Sequence, residues 1–337
     1  MAEPYILITG GCGFIGSNFV RHMLAKYQYN VVNFDRLTYA GNPENLQDIE
    51  KDTRYTFIKG DIAEVSDLEK VFRLPIENVV NFAAESHVDR SILDPDTFIK
   101  TNINGTFQLL EMARKRDVKK FVQISTDEVY GSLGKEGKFS EQTPLSPNSP
   151  YSASKTSADV LAMSYHKTYN MPIVITRCSN NYGPYQFPEK LIPLIITNAM
   201  NDIELPVYGD GLNIRDWIHV ADHCEAIDVV LHKGKDGSIY NVGGENERTN
   251  IEIVKLILKA LGKSEALIKY VKDRPGHDRR YAIDSTKLKK ELGFSPKTDF
   301  THGMEETVKW YRENKSWWER IKSGAYMEYY KNMYGNR

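Results

Sequence analysis

Five side chains near the middle of the sequence have types and spacing suited to proton transfer: Thr126, Asp127, Glu128, Tyr151 and Lys155. Two adjacent carboxyl groups can act as general acid and general base when their surroundings separate their pKa values. Tyr151 and Lys155 are four residues apart, so on a helix they share one face. An ammonium group beside a phenol lowers the pKa of the phenol, which then can take a proton from a hydroxyl group while hydride leaves the same carbon.

A strand and a helix must position these groups. The apolar run 121–124 predicts a buried parallel strand that ends just before the acid pair. Ser149 can cap, and Pro150 can begin, a helix predicted over 151–169. An isolated acid pair is more often a solvated turn, and Tyr-x-x-x-Lys is more often a surface pair. The chemical interpretation therefore depends on the rest of the chain, because ligands of open α/β sheets bind at the carboxyl ends of the strands.

A glycine-rich loop lies upstream of the candidate catalytic residues. Gly10, Gly13 and Gly16 follow an apolar strand, 5–9, and precede a helix predicted over 17–26. Glycines at such positions make a tight turn, let the backbone approach a pyrophosphate and let the helix pack closely on the strand. The helix N-terminus offers N–H groups to the phosphates. The loop therefore predicts a dinucleotide site.

The second predicted strand, 31–34, ends at Asp35. An acid about 20 residues beyond the last glycine is expected to hold the adenosine ribose hydroxyls. It would also repel a 2′-phosphate, which favours NAD over NADP. The neighbouring Arg36 would suit such a phosphate, so the sequence leaves NADP open.

The apolar runs 55–61, 78–84 and 172–176 predict further strands, 98–116 predicts a helix, and 238–243 is expected to return to the sheet. This alternation predicts a doubly wound parallel Rossmann sheet of the α/β class. A smaller, partly discontinuous substrate-binding domain with cationic and aromatic residues is expected beyond it. The predicted division is an NAD-binding domain over 1–179, with a return segment at about 214–244, and a sugar-nucleotide domain over 180–213 and 245–325. Residues after about Asn314 are expected to be a packing segment.

Composition excludes several classes of protein. The 337 residues carry a formal net charge of −1, with no basic patch that would favour nucleic acid. No apolar run reaches the roughly 18 residues of a membrane span, and the start of the chain lacks a signal-peptide pattern. Cys12, Cys178 and Cys224 are odd in number and lack metal-ligand spacing, which predicts reduced thiols, a cytoplasmic protein and no metal site.

With these residues in place, the chain resembles, over nearly its whole length, the extended short-chain dehydrogenase/reductase family and its nucleotide-sugar 4,6-dehydratases. The Thr-Asp-Glu triplet points to the dehydratases, because the related 4-epimerases lack that acid pair. The motifs that carry the resemblance are Gly10–Gly16, Asp35–Asn42, Ala84–Ser91, Ser125–Gly131, Tyr151-x-x-x-Lys155, Asn180–Pro184 and Asp273–His277.

The resemblance implies a reaction on dTDP-glucose. Tyr151, assisted by Lys155, removes the proton of the 4-hydroxyl as hydride passes from C4 to NAD, and Thr126 hydrogen-bonds the forming ketone. Glu128 then takes the C5 proton, and a protonated Asp127 donates to the C6 hydroxyl so that water leaves. Return of the hydride to C6 gives a 4-keto-6-deoxy sugar nucleotide, a precursor of rhamnose or other deoxysugars.

Pattern and resemblance together give the expected binding residues. The residues expected to contact NAD are Gly10, Gly13, Phe14, Ile15, Gly16, Asp35, Thr38, Asp61, Ile62, Phe82, Ala83, Ala84, Thr101, Tyr151, Lys155 and Asn181. Those expected to contact the sugar nucleotide are Ser86, His87, Thr126, Asn180, Lys190, Leu191, Pro206, Tyr208, Arg215, Asn250, Arg274 and His277. The resemblance also implies a homodimer paired through helices, and Leu161, Ala162 and Tyr165 could serve either the core or that interface.

Three alternative functions stay open at this point. A UDP-sugar 4-epimerase would share the oxidation at C4 but have no use for the acid pair, and a UDP-glucose 4,6-dehydratase would differ only in the nucleotide. A non-catalytic NAD-binding sensor would not need the Tyr/Lys pair, which is intact here.

Overall fold

The computed structural model describes residues 3–323 and Tyr330. The strands of this part of the chain are β1 Tyr5–Thr9, β2 Asn30–Asp35, β3 Tyr55–Lys59, β4 Ile76–Asn81, β5 Lys120–Thr126, β6 Ile173–Cys178, β7 Asn180–Tyr182, β8 Leu205–Tyr208, β9 Ile214–His219, β10 Ile239–Val242, β11 Glu247–Thr249 and β12 Ile268–Val271. Seven of them form a parallel sheet in the order β10-β6-β5-β4-β1-β2-β3. The predicted doubly wound sheet is confirmed, including the return of 238–243 as β10 beside β6.

The helices cover both faces of this sheet and build the C-terminal region. In the described residues they are α1 Phe14–Lys26, α2 Val65–Val71, α3 Val88–Leu93, α4 Pro95–Phe98, α5 Thr106–Lys115, α6 Pro150–Tyr169, α7 Leu191–Met200, α8 Val220–Lys233, α9 Asn250–Leu261, α10 Thr286–Leu292, α11 Phe300–Glu313 and α12 Lys315–Ile321. Short 3-10 helices lie at Pro43–Ile49, Asp127–Tyr130 and Glu265–Leu267.

Several predicted boundaries were wrong. Helix α1 begins at Phe14, three residues before its predicted start, so that Gly16 belongs to the helix. Strand β4 ends at Asn81, three residues early, and the small residues after it form a loop. The helix predicted over 98–116 is α4, a π-helix over Ile99–Gly105 and α5 in succession. Apolar periodicity does not distinguish a π-helical turn from an α-helical one.

Each face of the sheet has its own hydrophobic core. Val20 of α1 and Ile227 of α8 are fully buried against one face. Leu109 of α5 and Ala162 of α6 are fully buried against the other, and Tyr165 joins them. Ala162 and Tyr165 therefore serve the core within the chain. The sheet is covered on both sides, as a parallel sheet requires.

A third core lies in the C-terminal region. Strands β7, β9 and β11 form a small sheet, β8 pairs with β12, and helices α7, α9, α11 and α12 pack around them. Trp317 and Trp318 of α12 are buried, so the described part of the chain after Asn314 is a packing segment as predicted. Residues 324–329 and 331–337 lie outside the described residues. The division into two domains at the stated boundaries stays a prediction.

Two further observations concern the class of protein. Cys12, Cys178 and Cys224 are buried and form no disulfide. Within the residues that the structure describes, no helix combines the length and the apolar character that crossing a membrane requires.

Candidate active site

The glycine loop joins β1 to α1 in a conformation that depends on its glycines. Gly10 has φ +69°, and a Cβ there would lie 2.7 Å from the backbone nitrogen of Ala83. A Cβ on Gly16 would lie 2.3 Å from the carbonyl oxygen of Gly10. The loop therefore packs directly against the segment after β4 and leaves the first turn of α1 facing the carboxyl end of the sheet. Backbone N–H groups at such a helix start bind phosphate.

Asp35, at the end of β2, is held by the backbone around it. Its carboxylate accepts hydrogen bonds from the N–H of Leu37 at 2.7 Å and from the N–H of Cys12 at 2.9 Å. Burial raises the pKa of Asp35, and these two hydrogen bonds oppose that shift. Arg36 forms an ion pair with Asp61, 3.2 Å apart, so a carboxylate already engages the cation that would suit a 2′-phosphate.

One continuous cavity runs from this loop to the acid pair. All sixteen residues predicted to contact the cofactor line it, together with Ser86, Thr126, Asn180 and Lys190 from the predicted substrate set. The buried hydroxyl oxygens of Thr101 and Ser179 lie at this cavity without a hydrogen-bond partner in the described chain. A glycine cradle, a buried carboxylate at the end of β2 and unsatisfied hydroxyls along one cavity fit a dinucleotide.

The acid pair occupies a single turn of 3-10 helix after β5. Thr126 caps this turn, because its hydroxyl accepts the N–H of Glu128 at 3.3 Å. Thr126 also lies 3.4 Å from Asp127, oxygen to oxygen. The cap fixes the point at which the strand turns, so both carboxyl groups line the cavity.

The two carboxyl groups have unequal surroundings. The pKa of Asp127 is raised well above its usual range by burial and by the charges of Glu128 and Asp216. Burial also raises the pKa of Glu128, but the cations Arg274, Lys190 and Arg215 lower it. Asp127 is therefore the group that retains a proton, and Glu128 is the one that ionises more readily.

Tyr151 and Lys155 lie on the first turns of α6, and both are buried. The predicted cap is confirmed: the hydroxyl of Ser149 accepts the N–H of Ser152 at 3.1 Å, and Pro150 occupies the first position. The ammonium of Lys155 donates to the carbonyl oxygen of Ile124 at 2.7 Å. This hydrogen bond ties the start of the helix to the strand that carries the acid pair.

The expectation that the phenol has a lowered pKa was wrong for the protein by itself. Burial raises the pKa of Tyr151 well above 10, and the charge of Glu128 raises it further. A hydrogen bond with Thr126 lowers it but does not reverse the shift. The sequence could not give this result, because it depends on the burial of the ring and on the nearby carboxylate.

The remaining predicted substrate residues, all within the described part of the chain, do not line this cavity. Arg215 of β9 donates to the carbonyl oxygen of Asp278 at 2.9 Å and lies over the ring of Tyr281, 4.2 Å from its centroid. Arg274 is 3.4 Å from the buried carboxylate of Asp89. Both guanidinium groups affect the pKa of Glu128, so they lie on the acid side of the site.

The other members of that set are spread over three elements and two loops. Tyr208 ends β8, and its hydroxyl donates to Asp89 at 3.1 Å. His277 is 2.6 Å from Asp273. The carbonyl oxygen of the Asn250 side chain is buried without a partner among the described residues. The other three are Leu191 at the start of α7, Pro206 in β8 and His87. The pKa of His87 is held well below 6.5 by burial and by the charges of Lys190 and Arg274.

Sequence reasoning missed the residues that support the site from behind. Asp159 of α6 and Arg177 of β6 form a buried ion pair with a 2.9 Å separation. Arg177 also donates to the hydroxyl of Tyr130 at 3.0 Å, and that hydroxyl donates to Asn241 at 2.8 Å. The four-residue spacing of Lys155 and Asp159 was the available signal, since it places both on one face of the helix.

Comparison with known proteins gives consistent similarities over nearly the whole chain. The family described as GDP-mannose 4,6 dehydratase matches residues 7–307. The chain is 52% identical over 342 residues to dTDP-glucose 4,6-dehydratase of Xanthomonas campestris pv. campestris (strain B100), covering 95% of this chain and 96% of that protein.

Solved structures show the same relationship. The crystal structure of dTDP-glucose 4,6-dehydratase from Bacillus anthracis str. Ames in complex with NAD matches with a TM-score of 0.89 and 54% identity, covering 95% of this chain and 100% of that one. The UDP-glucose 4-epimerase of Thermus thermophilus in complex with NAD is more distant in sequence, with 30% identity, a TM-score of 0.86 and coverage of 92% and 99%.

Proposed function

The chain belongs to the GDP-mannose 4,6-dehydratase family within the extended short-chain dehydrogenases/reductases, and from that premise we propose that it is a lyase that removes water from dTDP-glucose with NAD as its cofactor. The product is dTDP-4-dehydro-6-deoxy-glucose. The observation that carries the proposal is the pair of adjacent carboxyl groups at the cavity that the glycine loop begins. Burial and neighbouring charge raise the pKa of Asp127 well above its usual range, whereas three cations oppose the rise for Glu128.

The cavity residues named above would hold NAD, with the pyrophosphate at the start of α1 and the adenosine ribose at Asp35. When bound, oxidised NAD would bring a positively charged nicotinamide ring, accept hydride from C4 of the sugar and return it to C6. The engagement of Arg36 by Asp61 supports NAD over NADP.

The first proton transfer is assigned to Tyr151, which takes the proton of the 4-hydroxyl. Its raised pKa means that the phenol resists ionisation until positive charge is near. Lys155, one turn along α6 from Tyr151, is assigned the supporting cation, and Thr126 donates a hydrogen bond to the oxygen that becomes the ketone. A C4 ketone acidifies the C5 proton because the resulting carbanion is delocalised as an enolate.

The elimination is assigned to the acid pair. Glu128 takes the C5 proton as general base, and three cations around it favour its charged form. Asp127 donates its proton to the C6 hydroxyl, the C6–O bond breaks, and water leaves. Once C6 is reduced, Glu128 returns its proton to C5. The reaction therefore has no net oxidation or reduction.

The test is to incubate purified full-length protein with dTDP-glucose and to follow the sugar nucleotide by mass spectrometry. Loss of one water without consumption of added NADH is the expected result, and Tyr151→Phe is the inactive control. Unchanged mass with formation of the galactose isomer would establish the epimerase instead. Turnover of UDP-glucose in preference to dTDP-glucose would identify the other dehydratase, and inertness towards both would favour a binding protein.

We propose a homodimer paired through α5 and α6. Phe107 of α5 is 39% exposed and Val160 of α6 is 56% exposed, while the opposite faces of both helices are in the core. Exposed apolar side chains on two helices that pack side by side support a shared interface. Val160→Asp should give a monomer by size-exclusion chromatography with light scattering, whereas Val65→Asp, at an exposed position on α2, should not. A monomeric wild-type protein would exclude the dimer.

The chemical class of the product suggests which later reactions would use it. A 4-keto-6-deoxy sugar nucleotide is proposed here as a precursor of rhamnose or another deoxysugar. A cytoplasmic location is proposed as well, and three buried cysteines without a disulfide support it.

A further inference from the structure

A tryptophan of the C-terminal packing segment is linked by hydrogen bonds to the glycine loop. The indole N–H of Trp317 donates to the side-chain oxygen of Asn45 at 2.9 Å. The side-chain nitrogen of Asn45 donates in turn to the carbonyl oxygen of Cys12 at 2.9 Å. Trp317 and Asn45 are 6% and 1% exposed, so water does not compete for these bonds.

Cys12 lies between Gly11 and Gly13 in the loop, and its peptide groups are fixed on both sides. Its N–H donates to the carboxylate of Asp35, while its carbonyl oxygen also accepts the N–H of Asn42 at 3.0 Å. The carbonyl oxygen belongs to the peptide that leads into α1. The same peptide carries the N–H of Gly13, the N-cap residue of α1, which donates to the carbonyl oxygen of Gly10 at 3.1 Å. Holding the Cys12 carbonyl therefore holds the last peptide before the free N–H groups of the helix start.

The same tryptophan lies in an aromatic cluster that reaches α1. The rings of Trp310 and Trp317 lie 4.7 and 5.9 Å from the ring of Tyr185. The guanidinium of Arg21, on α1, lies over Tyr185 at 4.3 Å and donates to the backbone oxygen of Asn45. The C-terminal helices thus contact both the loop and the helix that the loop begins.

We propose that Trp317 is a positioning residue for the cofactor, acting through Asn45 on the glycine loop, so that the affinity for NAD depends on the C-terminal helices. This inference rests on the proposed function, because it requires the loop to hold NAD. A loop fixed before binding loses less conformational freedom when the pyrophosphate arrives. The alternative role for Trp317 is packing alone.

Trp318 provides a control that distinguishes positioning of the glycine loop from packing alone. It lies in the same core and is 1% exposed, but its indole N–H donates to the carbonyl oxygen of Tyr311 at 2.9 Å. Trp317→Phe and Trp318→Phe therefore make the same chemical change in the same core. One removes the hydrogen bond to Asn45, and the other does not touch it.

The experiment is a calorimetric titration in which NAD is added to full-length protein from which bound nucleotide has been removed. Trp317→Phe should raise the NAD dissociation constant about threefold to tenfold, because the loss of one buried hydrogen bond weakens binding by about that factor. Trp318→Phe should bind NAD as the wild-type protein does. Asn45→Ala should resemble Trp317→Phe, and the double variant should be no weaker than either single one.

Turnover gives a second readout. At saturating NAD, Trp317→Phe should regain the wild-type kcat and differ only in the NAD concentration required. Equal weakening of NAD binding by the two tryptophan variants, or additive losses in the double variant, would leave Trp317 as a packing residue. If the wild-type chain itself bound no NAD, the proposed function would fail together with this inference.

Discussion

Replacing Glu128 with glutamine is expected to separate the oxidation from the elimination. Glutamine keeps the size of the side chain but cannot accept the C5 proton. The charge of Glu128 raises the pKa of Tyr151, so its removal makes the phenol easier to ionise. Oxidation at C4 should therefore be retained, whereas loss of water should stall.

The magnitude follows from the lack of a substitute base. A positioned general base contributes about 10² to 10⁴ in rate. Asp127 is adjacent but holds its proton, and Asp278 already accepts hydrogen bonds from Asn148 and Tyr281. Glu128→Gln should therefore lose about 10³ to 10⁴ in kcat, which is about 4 to 5.5 kcal/mol of barrier.

The assay is absorbance of the reduced nicotinamide after mixing enzyme with dTDP-glucose, combined with mass spectrometry of the product. Glu128→Gln should reduce close to one cofactor per active site and then hold it, with no deuterium from D₂O entering C5. A normal rate of water loss would remove Glu128 from the role of base. Absence of any cofactor reduction would show that the carboxylate is needed for the oxidation.

Asp127→Asn provides the contrast within the same turn. Elimination needs the protonated acid, so its rate in the wild-type enzyme should fall as pH rises through the raised pKa of Asp127. The variant should be slower and should lose that alkaline decline. A raised carboxyl pKa in the folded state means that stability falls as pH rises above the unfolded value, so the variant should also unfold at higher urea concentration at neutral pH. If Asp127→Asn kept the same fall in rate at high pH, that fall would belong to another titrating group.

Three further predictions address the supports of the site. Tyr130→Phe should lose about 1 to 3 kcal/mol of folding free energy in urea, because Arg177 loses a buried acceptor, and should lower kcat while leaving KM for the sugar nucleotide unchanged. Asp228→Asn should lose about 1 to 3 kcal/mol at neutral pH, since the carboxylate is paired with two histidines and a lysine. That difference should shrink progressively as pH falls below about 4, because the carboxyl group then takes up a proton in the unfolded chain before it does so in the folded one. It should also shrink as pH rises through the raised pKa of His232, because the histidine then loses its charge. Gly16→Ala should abolish NAD binding by calorimetry, because its Cβ would lie 2.3 Å from a loop carbonyl oxygen.

Local signals in the sequence predicted much of the fold. Buried strands such as 5–9 and 121–124 are unbroken apolar runs, and their parallel order follows from the helices between them. The start of α6 was predictable because Ser149 and Pro150 carry both the cap and the first-position signal. The start of α1 was not, since glycine has a weak helix propensity and Gly16 nevertheless lies in the first turn of the helix.

The sequence predicted which residues would meet at the cofactor cavity, although their roles stay predictions, but it did not predict the energetics of the site. The cofactor residues come from several strand ends, and the parallel sheet brings those ends to one cavity. By contrast, the direction of the pKa shift of Tyr151 depends on burial and on Glu128. The role of Asn45 was also invisible, because its partners Trp317 and Cys12 are distant in sequence.

The buried ion pair between Arg177 and Asp159 links helix α6, which carries Tyr151, to the turn that carries the two carboxyl groups. Such a pair is weak evidence for stability, because removing both charges from water costs about as much as their attraction returns. The Arg177 guanidinium bonds to Asp159, one turn beyond Lys155, and also to Tyr130, in the turn that carries the acids. Movement of the helix relative to the acid turn would break one of these bonds. The pair therefore fixes the spacing between Tyr151, the proposed base of the first step, and the two carboxyl groups proposed to carry out the second.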